Sequence, residues 1–480
     1  MAELVLRDLL ARAQTQIPWD EALCSTATEP NDRLTVRSIE HDSRAVQAGS
    51  LFACYPGATF DGHDFAAQAV ADGAIALLVE RPLSLPATVP QVVVADVRRT
   101  VPWLAHVLSD EPSTRLDVVG ITGTNGKTTT AQLVTAIARH AGRRAEVLGT
   151  LTGVRTTPEA PALQRTLAGF VADDVDIVTM EVSSHALDQH RADAIRFAVA
   201  LFTNLTPDHL DYHLTMENYF EAKALLFDGR AEHAIINIDD AFGARLADQV
   251  PGAVRLSRRD LKITEQRVDR SVFDWRGQTV TLPLAGLFNV DNAHAAAETA
   301  ILLGFSPAEA AAGLSSVDQV PGRVEIVPGP ADSPLVVVDY SHTPDGIEKV
   351  LAALRPLVPT GGSLVIVFGC GGDRDTAKRP LMGAAAAAAD RVIVTSDNPR
   401  SEDPLAIIAA ILPGLEGTGV EPIVEADRRA AIAVAIDDAQ PNDVVVIAGK
   451  GHETTQTIGD RVEPFDDRIV AAALLNEIAR

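Results

Sequence analysis

Apolar residues in this chain fall into short runs separated by stretches with helical spacing, and that alternation predicts an α/β protein. Between about residues 35 and 110 the runs Leu-Phe-Ala-Cys at 51–54, Ala-Ile-Ala-Leu-Leu-Val at 74–79 and Val-Val-Val-Ala at 92–95 read as strands of a small α/β domain. Next, Leu-Asp-Val-Val-Gly-Ile at 116–121 reads as a strand running into a glycine-rich turn, and Leu133, Ile137 and Ala141 behind the turn keep helical spacing. The segments 175–182 and 198–202 are apolar enough for buried parallel strands, so the expectation is a doubly wound sheet. Proline and glycine cluster at 328–334, after which 335–339, 364–368, 391–395 and 443–448 predict a further parallel, Rossmann-like domain. Alanine has the highest helix propensity, so the run at 384–389 is expected to be helical.

Length changes this picture only by adding divisions. A chain of 480 residues exceeds what one core usually organises, and the breaks at 109–113 and 328–334 predict three domains: 1–111, 112–329 and 330–480. With 46% hydrophobic and 22% charged residues, global disorder is excluded. A net charge of −24 would repel nucleic acid and anionic lipid, so neither is an expected partner, and any anionic ligand must be met by local cations. Neither a bilayer-spanning apolar run nor a signal-peptide pattern is visible, which predicts a cytoplasmic protein. Cys24, Cys54 and Cys370 are widely spaced and predict isolated thiols instead of a disulfide frame or zinc site. Only six of the 41 basic residues are lysines, and Lys127, Lys223, Lys378 and Lys450 stand in unusual local sequence, where an amine could serve chemistry.

The turn Gly-Ile-Thr-Gly-Thr-Asn-Gly-Lys-Thr at 120–128 lacks the first glycine of the strict phosphate-loop pattern, but its ending keeps the chemistry. Gly123 and Gly126 let backbone N–H groups approach a polyphosphate, the following helix offers its positive end, Lys127 can reach the terminal phosphates, and Thr128 can ligate Mg²⁺.

Gly-Thr-Asn-Gly-Lys-Thr-Thr at 123–129 resembles the ATP loop of the Mur ligases and the folylpolyglutamate synthetases. Met-Glu-Val-Ser-Ser-His at 180–185, Asn-Leu-Thr-Pro-Asp-His-Leu-Asp-Tyr-His at 204–213, Tyr-Phe-Glu-Ala-Lys-Ala-Leu-Leu-Phe at 219–227 and Gly-Leu-Phe-Asn-Val-Asp-Asn at 286–292 resemble the central-domain motifs of the same family in the same order. The resemblance implies ATP contacts from Gly123, Thr124, Asn125, Gly126, Lys127, Thr128 and Thr129, with Asn289 and Asn292 at the adenine edge; plain helix-start capping is the other reading of the two asparagines. It also implies two Mg²⁺ ions held by Thr128, Glu181, His209 and Lys223, the lysine being carbamylated by CO₂ to N6-carboxylysine and so turned into an oxygen ligand. Read from the helix alone, Lys223 would be a snorkelling surface lysine; Glu181 as a strand end alone would be a solvated carboxylate, but its place beside the phosphate loop favours Mg²⁺. Pro-Gly-Arg-Val-Glu at 321–325 and Asp-Tyr-Ser-His-Thr-Pro-Asp at 339–345 resemble the segments that close over ATP, placing Arg323 and His342 with Lys127 and Lys223 among catalytic candidates and Asp339 near nucleotide. Ser341 replaces the alanine usual in this motif; being barely larger, it is expected to change little.

Two further sets of motifs resemble the branch of Mur ligases that adds the third peptide residue. His-Asp-Ser-Arg at 41–44 and Gly-Ala-Thr-Phe-Asp-Gly at 57–62 imply that Ser43, Ala58, Thr59 and Phe60 touch the uridine nucleotide end of a UDP-muramoyl peptide. Thr156, Thr157, Ser183, Gln189 and Arg191 match positions expected to bind its muramoyl peptide, with Arg191 as counter-charge. Gly-Gly-Asp-Arg-Asp at 371–375, Asp-Asn-Pro-Arg at 397–400 and Gly-Lys-Gly-His-Glu at 449–453 look like a diaminopimelate pocket. Diaminopimelate carries a second amino-acid centre, and Arg374 and Arg400 offer cations for its carboxylate while Asp397 and Glu453 offer anions for its ammonium; Asn398, Pro399 and Gly449 complete the set. Ile469 stands where the family pattern has glutamate. The implied activity is ATP-dependent addition of meso-2,6-diaminopimelate to the D-glutamate of UDP-N-acetylmuramoyl-L-alanyl-D-glutamate through an acyl phosphate, by a monomer acting on small molecules. Alternatives are an LL-diaminopimelate- or lysine-adding relative, a folylpolyglutamate-synthetase-like ligase, and a non-catalytic ATP-binding regulatory module.

Overall fold

A computed structural model describes residues 3–19, 24–25, 34–57, 60–86, 88–153 and 155–478. The chain divides into two compact units that do not follow chain order: Met1–Thr122 with Gly142–Leu201 and Glu221–Ala234, and Gly123–Ala141 with Phe202–Phe220 and Ile235–Arg480.

In the first unit a five-stranded sheet has the order Cys24–Ser25, Gln91–Val93, Ala74–Val79, Ser50–Ala53, Ser38–Glu40, parallel except at its first strand. Its runs are apolar without interruption because helices cover both faces. Leu51, Ala53, Ala76 and Leu78 join the core beneath helices Leu6–Gln14 and Val97–Leu108, whereas Phe52, Cys54, Leu77 and Val79 point to the other face and pack with Ala66 and Ala69 of helix Ala66–Ala71. The same unit holds parallel strands in the order Ala145–Leu148, Ile177–Glu181, Asp117–Thr122, followed by Phe197–Phe202. Helix Ala160–Ala172 lays Leu163 and Leu167 on Val118, Val178 and Met180. Glu181 is therefore the last residue of a buried strand, in register with Ile121.

In the second unit, helix Lys127–His140 starts directly after the glycine loop and packs against helices Leu287–Leu302 and Pro307–Ser315. Close crossing depends on Gly313, where an added Cβ would stand 2.6 Å from the Ile137 Cα. A three-stranded antiparallel sheet, Lys262–Gln266, Ser271–Trp275 and Gln278–Leu282, precedes the latter two helices in the chain. The carboxyl-terminal sheet has the order Glu325–Val327, Leu335–Asp339, Val444–Ala448, Leu364–Phe368, Arg391–Val394, Ile423–Val424, antiparallel only at its first pair. Its residues also alternate: Val337, Ile366, Phe368 and Val446 face helices Pro344–Leu354, Lys378–Ala386 and Pro404–Ile411, and Val336, Val365, Val367 and Val445 face helices Arg428–Asp437 and Asp467–Ile478.

The alanine run is helical only in part. The helix ends at Ala386, and Ala388 and Ala389 donate backbone bonds three residues back, tightening the chain so that Asp390 can donate to the Leu364 carbonyl at 2.8 Å and enter the sheet. Strand pairing outweighs alanine's propensity there. Among the described residues no helix is long and apolar enough to cross a membrane.

Candidate functional site

The glycine loop has the geometry of an anion cradle. Gly123 (φ +145°) and Gly126 (φ +88°) adopt backbone conformations closed to most side chains, and an added Cβ would lie 1.9 Å from Thr203 Oγ1 and 2.3 Å from Asn292 Oδ1 respectively. The loop is pinned from behind by the segment after the Phe197–Phe202 strand: Thr124 N donates to Asn204 O at 2.9 Å, Thr203 Oγ1 to Asn125 O at 2.6 Å, and Asn125 N to Asn204 Oδ1 at 3.0 Å. Asn125 Nδ2 donates to Asp345 Oδ2 at 2.7 Å. Lys127 Nζ bonds to the carbonyls of Gly123 at 2.9 Å and Thr124 at 2.8 Å, arching over the loop. No side chain caps the helix that begins here, so its positive end faces the turn. Thr128 and Thr129 are buried, and Thr128 Oγ1 accepts from Arg323 Nη2 at 3.1 Å.

Arg323 brings the 320–325 turn to this loop. Its guanidinium lies 4.5 Å from the Tyr340 ring centroid, and its buried Nε has no partner among the described residues. Asp339 orders the turn by accepting from Val324 N and Ser341 N, each at 2.8 Å, and from the Ser341 hydroxyl. The Gly346 carbonyl lies 3.0 Å from the same hydroxyl and competes for its single proton, so the serine adds a polar tie that alanine lacks; the expectation of little change weighed its size and not its hydroxyl. Around Tyr340 stand His342 and His452, their ring centroids 4.6 and 5.0 Å away. Burial, with Lys378 and Arg323 beside it, pushes the His342 imidazole below its ordinary range. His342 Nδ1–H donates to Tyr340 O at 2.7 Å, which leaves Nε2 as acceptor. Burial and Arg323 likewise push His452 down to about 4. Burial works to raise Asp208, but His209, His342 and Lys378 outweigh it and hold the carboxyl low. His209 itself is in the left-handed region (φ +53°), with Nε2 3.4 Å from Asp208 Oδ2. Asn289 and Asn292 are buried beyond the helix start; Gly286 is the cap position, Asn289 Nδ2 donates to Ala285 O at 2.8 Å, and Asn292 Nδ2 to Asn289 Oδ1 at 3.2 Å. The capping reading of these residues is thereby overturned.

In the first unit Glu181 is 1% exposed, which removes the solvated-carboxylate reading. Its Oε1 accepts from Thr150 N at 2.8 Å and its Oε2 from Thr150 Oγ1 at 3.2 Å, an approach open only because residue 149 is glycine: a Cβ there would lie 2.3 Å from Oε1. Thr157 Oγ1 donates to Glu181 O at 2.8 Å and accepts from Ser183 N at 3.1 Å, and Thr156 Oγ1 lies 3.1 Å from Thr150 Oγ1. Arg191 donates to Thr157 O at 3.1 Å and Gln189 Oε1 at 2.6 Å and pairs with Glu159 at 2.9 Å. Burial works against its charge, Glu159 supports it, and its buried Nε is unpartnered among the described residues. The expected peptide-binding residues thus form one connected group. Near Glu159 in charge terms, His41 stacks on Tyr55 at 5.3 Å and is held low by burial although Glu159, Glu40 and Asp42 oppose that shift. Ser43 opens a short 3₁₀ turn and Phe60 is 71% exposed; Ala58 and Thr59 lie outside the described residues. Lys223 is 1% exposed in helix Met216–Ala224, so it does not snorkel to solvent. Of the four expected Mg²⁺ ligands, Glu181 and Lys223 belong to the first unit and Thr128 and His209 to the second. Among the described residues no group of three or more His, Cys, Asp or Glu side chains is placed to hold a metal.

The carboxyl-terminal loops bring opposite charges to one sheet edge. Arg400 (φ +52°) follows strand Arg391–Val394 and donates to Gly372 O at 2.6 Å. A Cβ on Gly371 would lie 3.0 Å from Arg400 Nη1 and 3.8 Å from Arg374 Cγ, so both arginines converge there, Arg374 being exposed. Asp397 is buried beside Gly449, whose missing Cβ would stand 2.6 Å from Asp397 Oδ2. Asn398 donates to Glu453 Oε2 at 2.7 Å, and the Pro399 carbonyl would be 1.9 Å from a Cβ on Gly372.

Three family models match the chain: "Mur ligase family, catalytic domain" over 35–111, "Mur ligase middle domain" over 121–300 and "Mur ligase, glutamate ligase domain" over 322–451. Among proteins of known name, the UDP-N-acetylmuramoyl-L-alanyl-D-glutamate–2,6-diaminopimelate ligases of Geobacillus thermodenitrificans and Gloeobacter violaceus are each 44% identical, covering 92% of this chain and 95% and 94% of their own. This chain belongs to the Mur ligase family. A solved structure of a ligase with that same substrate name matches this Mur ligase with a TM-score of 0.66 at 33% identity, covering 98% of this chain and 99% of the other. The MurF ligase of Thermotoga maritima, solved with ADP, shares the fold at 21% identity (TM-score 0.61, covering 92% and 97%).

The sequence missed several residues of this Mur ligase that shape the site. Thr203, Asn204 and Asp345 brace the phosphate loop, Gly149 and Thr150 cradle Glu181, and Glu159 holds Arg191. The braces lie far along the chain from what they hold, and spacing carries no signal for such contacts. Gly149 was detectable as a glycine directly after the apolar pair Val147-Leu148, at a strand's carboxyl end.

Proposed function

We propose that this Mur ligase uses ATP to attach meso-2,6-diaminopimelate to the D-glutamate side-chain carboxylate of UDP-N-acetylmuramoyl-L-alanyl-D-glutamate. The observation that carries the reading is the pairing of a polyphosphate cradle with a carboxyl-terminal edge carrying both charge signs, Arg374 and Arg400 beside Asp397 and Glu453. A pocket for lysine would need an anion for the distal ammonium but no arginine for a distal carboxylate. The substrate names of the 44% identical relatives support the same choice.

In this reading Gly123 to Thr129 hold the ATP phosphates, Lys127 leaves its loop carbonyls for the terminal phosphates, and Arg323 moves its free Nε–H toward the transferring group, with Asn289 and Asn292 at adenine and Asp339 keeping the Arg323 turn in place. The substrate carboxylate attacks the terminal phosphate, ADP leaves, and an acyl phosphate forms; the diaminopimelate amine then displaces phosphate and loses a proton. A neutral His342, with Nε2 unprotonated, is the group we assign to that proton. Ser43, Ala58, Thr59 and Phe60 take the uridine end, and Thr156, Thr157, Ser183, Gln189 and Arg191 take the muramoyl peptide. Bound Mg²⁺ would neutralise polyphosphate charge, and Thr128, Glu181, His209 and a carbamate on Lys223 are the donors we assign to two ions. The buried, oxygen-rich setting of Glu181 fits a hard cation, and a carbamate would convert a buried cation into a further oxygen donor. We further propose the three-domain division at 111 and 329 and a cytoplasmic monomer acting on small molecules.

The test is phosphate release with the muramoyl dipeptide nucleotide, scored by product mass for each amino acid. Release and tripeptide with meso-diaminopimelate are expected. Faster turnover of lysine or LL-diaminopimelate overturns the specificity, glutamate addition to a folate would assign the enzyme to the other branch, and nucleotide binding without amide product would overturn ligation.

A further inference from the structure

Lys450 has no part in the chemistry above, yet it is 0% exposed and one of only six lysines in the chain. Its Nζ reaches three acceptors: Thr455 O at 2.7 Å, Glu453 Oε2 at 2.9 Å and Asn398 Oδ1 at 3.2 Å. Three acceptors match the three N–H donors of an ammonium group, so the side chain is fully used inside the protein and has no donor left for a ligand. Asn398 is tied into the same group, with one Nδ2–H left over. Its Oδ1 accepts from Lys450 and from Thr457 N at 3.0 Å, and its Nδ2 donates to Glu453 Oε2 at 2.7 Å. Both of these bonds to the Glu453 side chain fall on Oε2, while 31% of that side chain remains exposed. The carboxylate is held through one oxygen, and neither of these bonds engages Oε1.

A buried ion pair is a poor source of stability, because removing a charge from water offsets most of the attraction. A wholly buried lysine paired with a carboxylate that is partly at the surface therefore calls for another reason, and the geometry supplies one. We propose that Lys450 is a positioning residue for amino-acid recognition: with Asn398 it locks the rotamer of Glu453, so that Oε1 meets the distal ammonium of diaminopimelate at a fixed place opposite Arg400. This inference rests on the diaminopimelate pocket proposed above.

Lys450→Met keeps the length and removes the charge. It is expected to raise KM for diaminopimelate about tenfold or more, since charge-assisted bonds hold Glu453, while kcat and KM for ATP change by less than about threefold. Glu453→Gln alone tests the pocket itself: an unchanged diaminopimelate KM there overturns the pocket reading. If Glu453→Gln raises KM and Lys450→Met does not, the pocket stands and the role of Lys450 is overturned. The double variant separates positioning from general damage, because locking through Glu453 predicts that the two effects on KM overlap, and independent, multiplying effects overturn it. Should Lys450→Met fail to fold, Asn398→Asp reads the same link by exchanging the donor to Glu453 for a second carboxylate; it is expected to raise the diaminopimelate KM with ATP KM kept, and an unchanged value overturns the proposal.

Discussion

Single atoms decide much of this site. At Gly126 the backbone is left-handed and a methyl group would overlap the Asn292 amide oxygen at 2.3 Å, so Gly126→Ala must displace either the loop or Asn292. We expect a rise in ATP KM of about tenfold or more with a stability loss of roughly 1–3 kcal/mol, read by initial rates and denaturant unfolding. Ser341 is a milder case: removing its hydroxyl takes one donor from Asp339, and Ser341→Ala should cost about 0.5–1.5 kcal/mol in the same unfolding assay. Lys223, which its helix alone would make a surface cation, is 1% exposed. Lys223→Ala is expected to remove activity, and ¹³C-bicarbonate should give the wild type, but not the variant, a carbamate carbonyl resonance; a wild type without that signal rejects the carbamate.

At the scale of elements, loops are set by what ties strand ends together. Arg428 and Asp467 are sealed from solvent, joined by two bonds of 2.8 and 2.7 Å, and Arg428 also donates to Ser396 O at 3.3 Å and Ala448 O at 2.9 Å. One guanidinium thus links the helix Asp467–Ile478 to the chain just after strand Arg391–Val394 and to the end of strand Val444–Ala448, from which the 397–400 and 449–453 loops spring. Arg428→Met leaves Asp467 buried and unpaired and should cost about 3–5 kcal/mol, while replacing both residues by apolar ones should recover much of it, as chemical denaturation of the single and double variants would show. A similar cost in both would mean that the carbonyl bonds outweigh the pair.

For the whole molecule, burial of imidazoles makes stability depend on pH. His452 is pushed down to about 4, and His342, His106, His294 and His41 are also held below the ordinary value near 6.5. Between those values the unfolded chain binds more protons than the folded one, so stability is kept above about 6.5 and falls as pH drops toward 4. Carboxyls held low by partners, such as Glu298 beside Arg276 and Asp466 beside Arg468, add a loss below the ordinary carboxylate range. Thermal melts should show Tm nearly level above pH 6.5 and declining from there toward 4; a Tm unchanged across that window would mean the histidines are solvated.

Strand positions, the strand-loop-helix start and the phosphate loop were legible in the chain, because alternation of side chains, the need for glycine at a left-handed turn and the lysine-threonine pair are local requirements written in consecutive residues. Segments 74–79, 335–339 and 364–368 became strands with the bounds their apolar runs predict. What only the tertiary structure decided was which distant group each candidate meets. The extent of the alanine helix, the use of Ser341 by Asp339, the grip of Lys450 on Glu453 and the burial of Lys223 and Glu181 depend on contacts between residues far apart in sequence or on shielding by whole layers. Local pattern specifies an element and its chemistry; hydrogen-bond partners and exposure are properties of the packed chain.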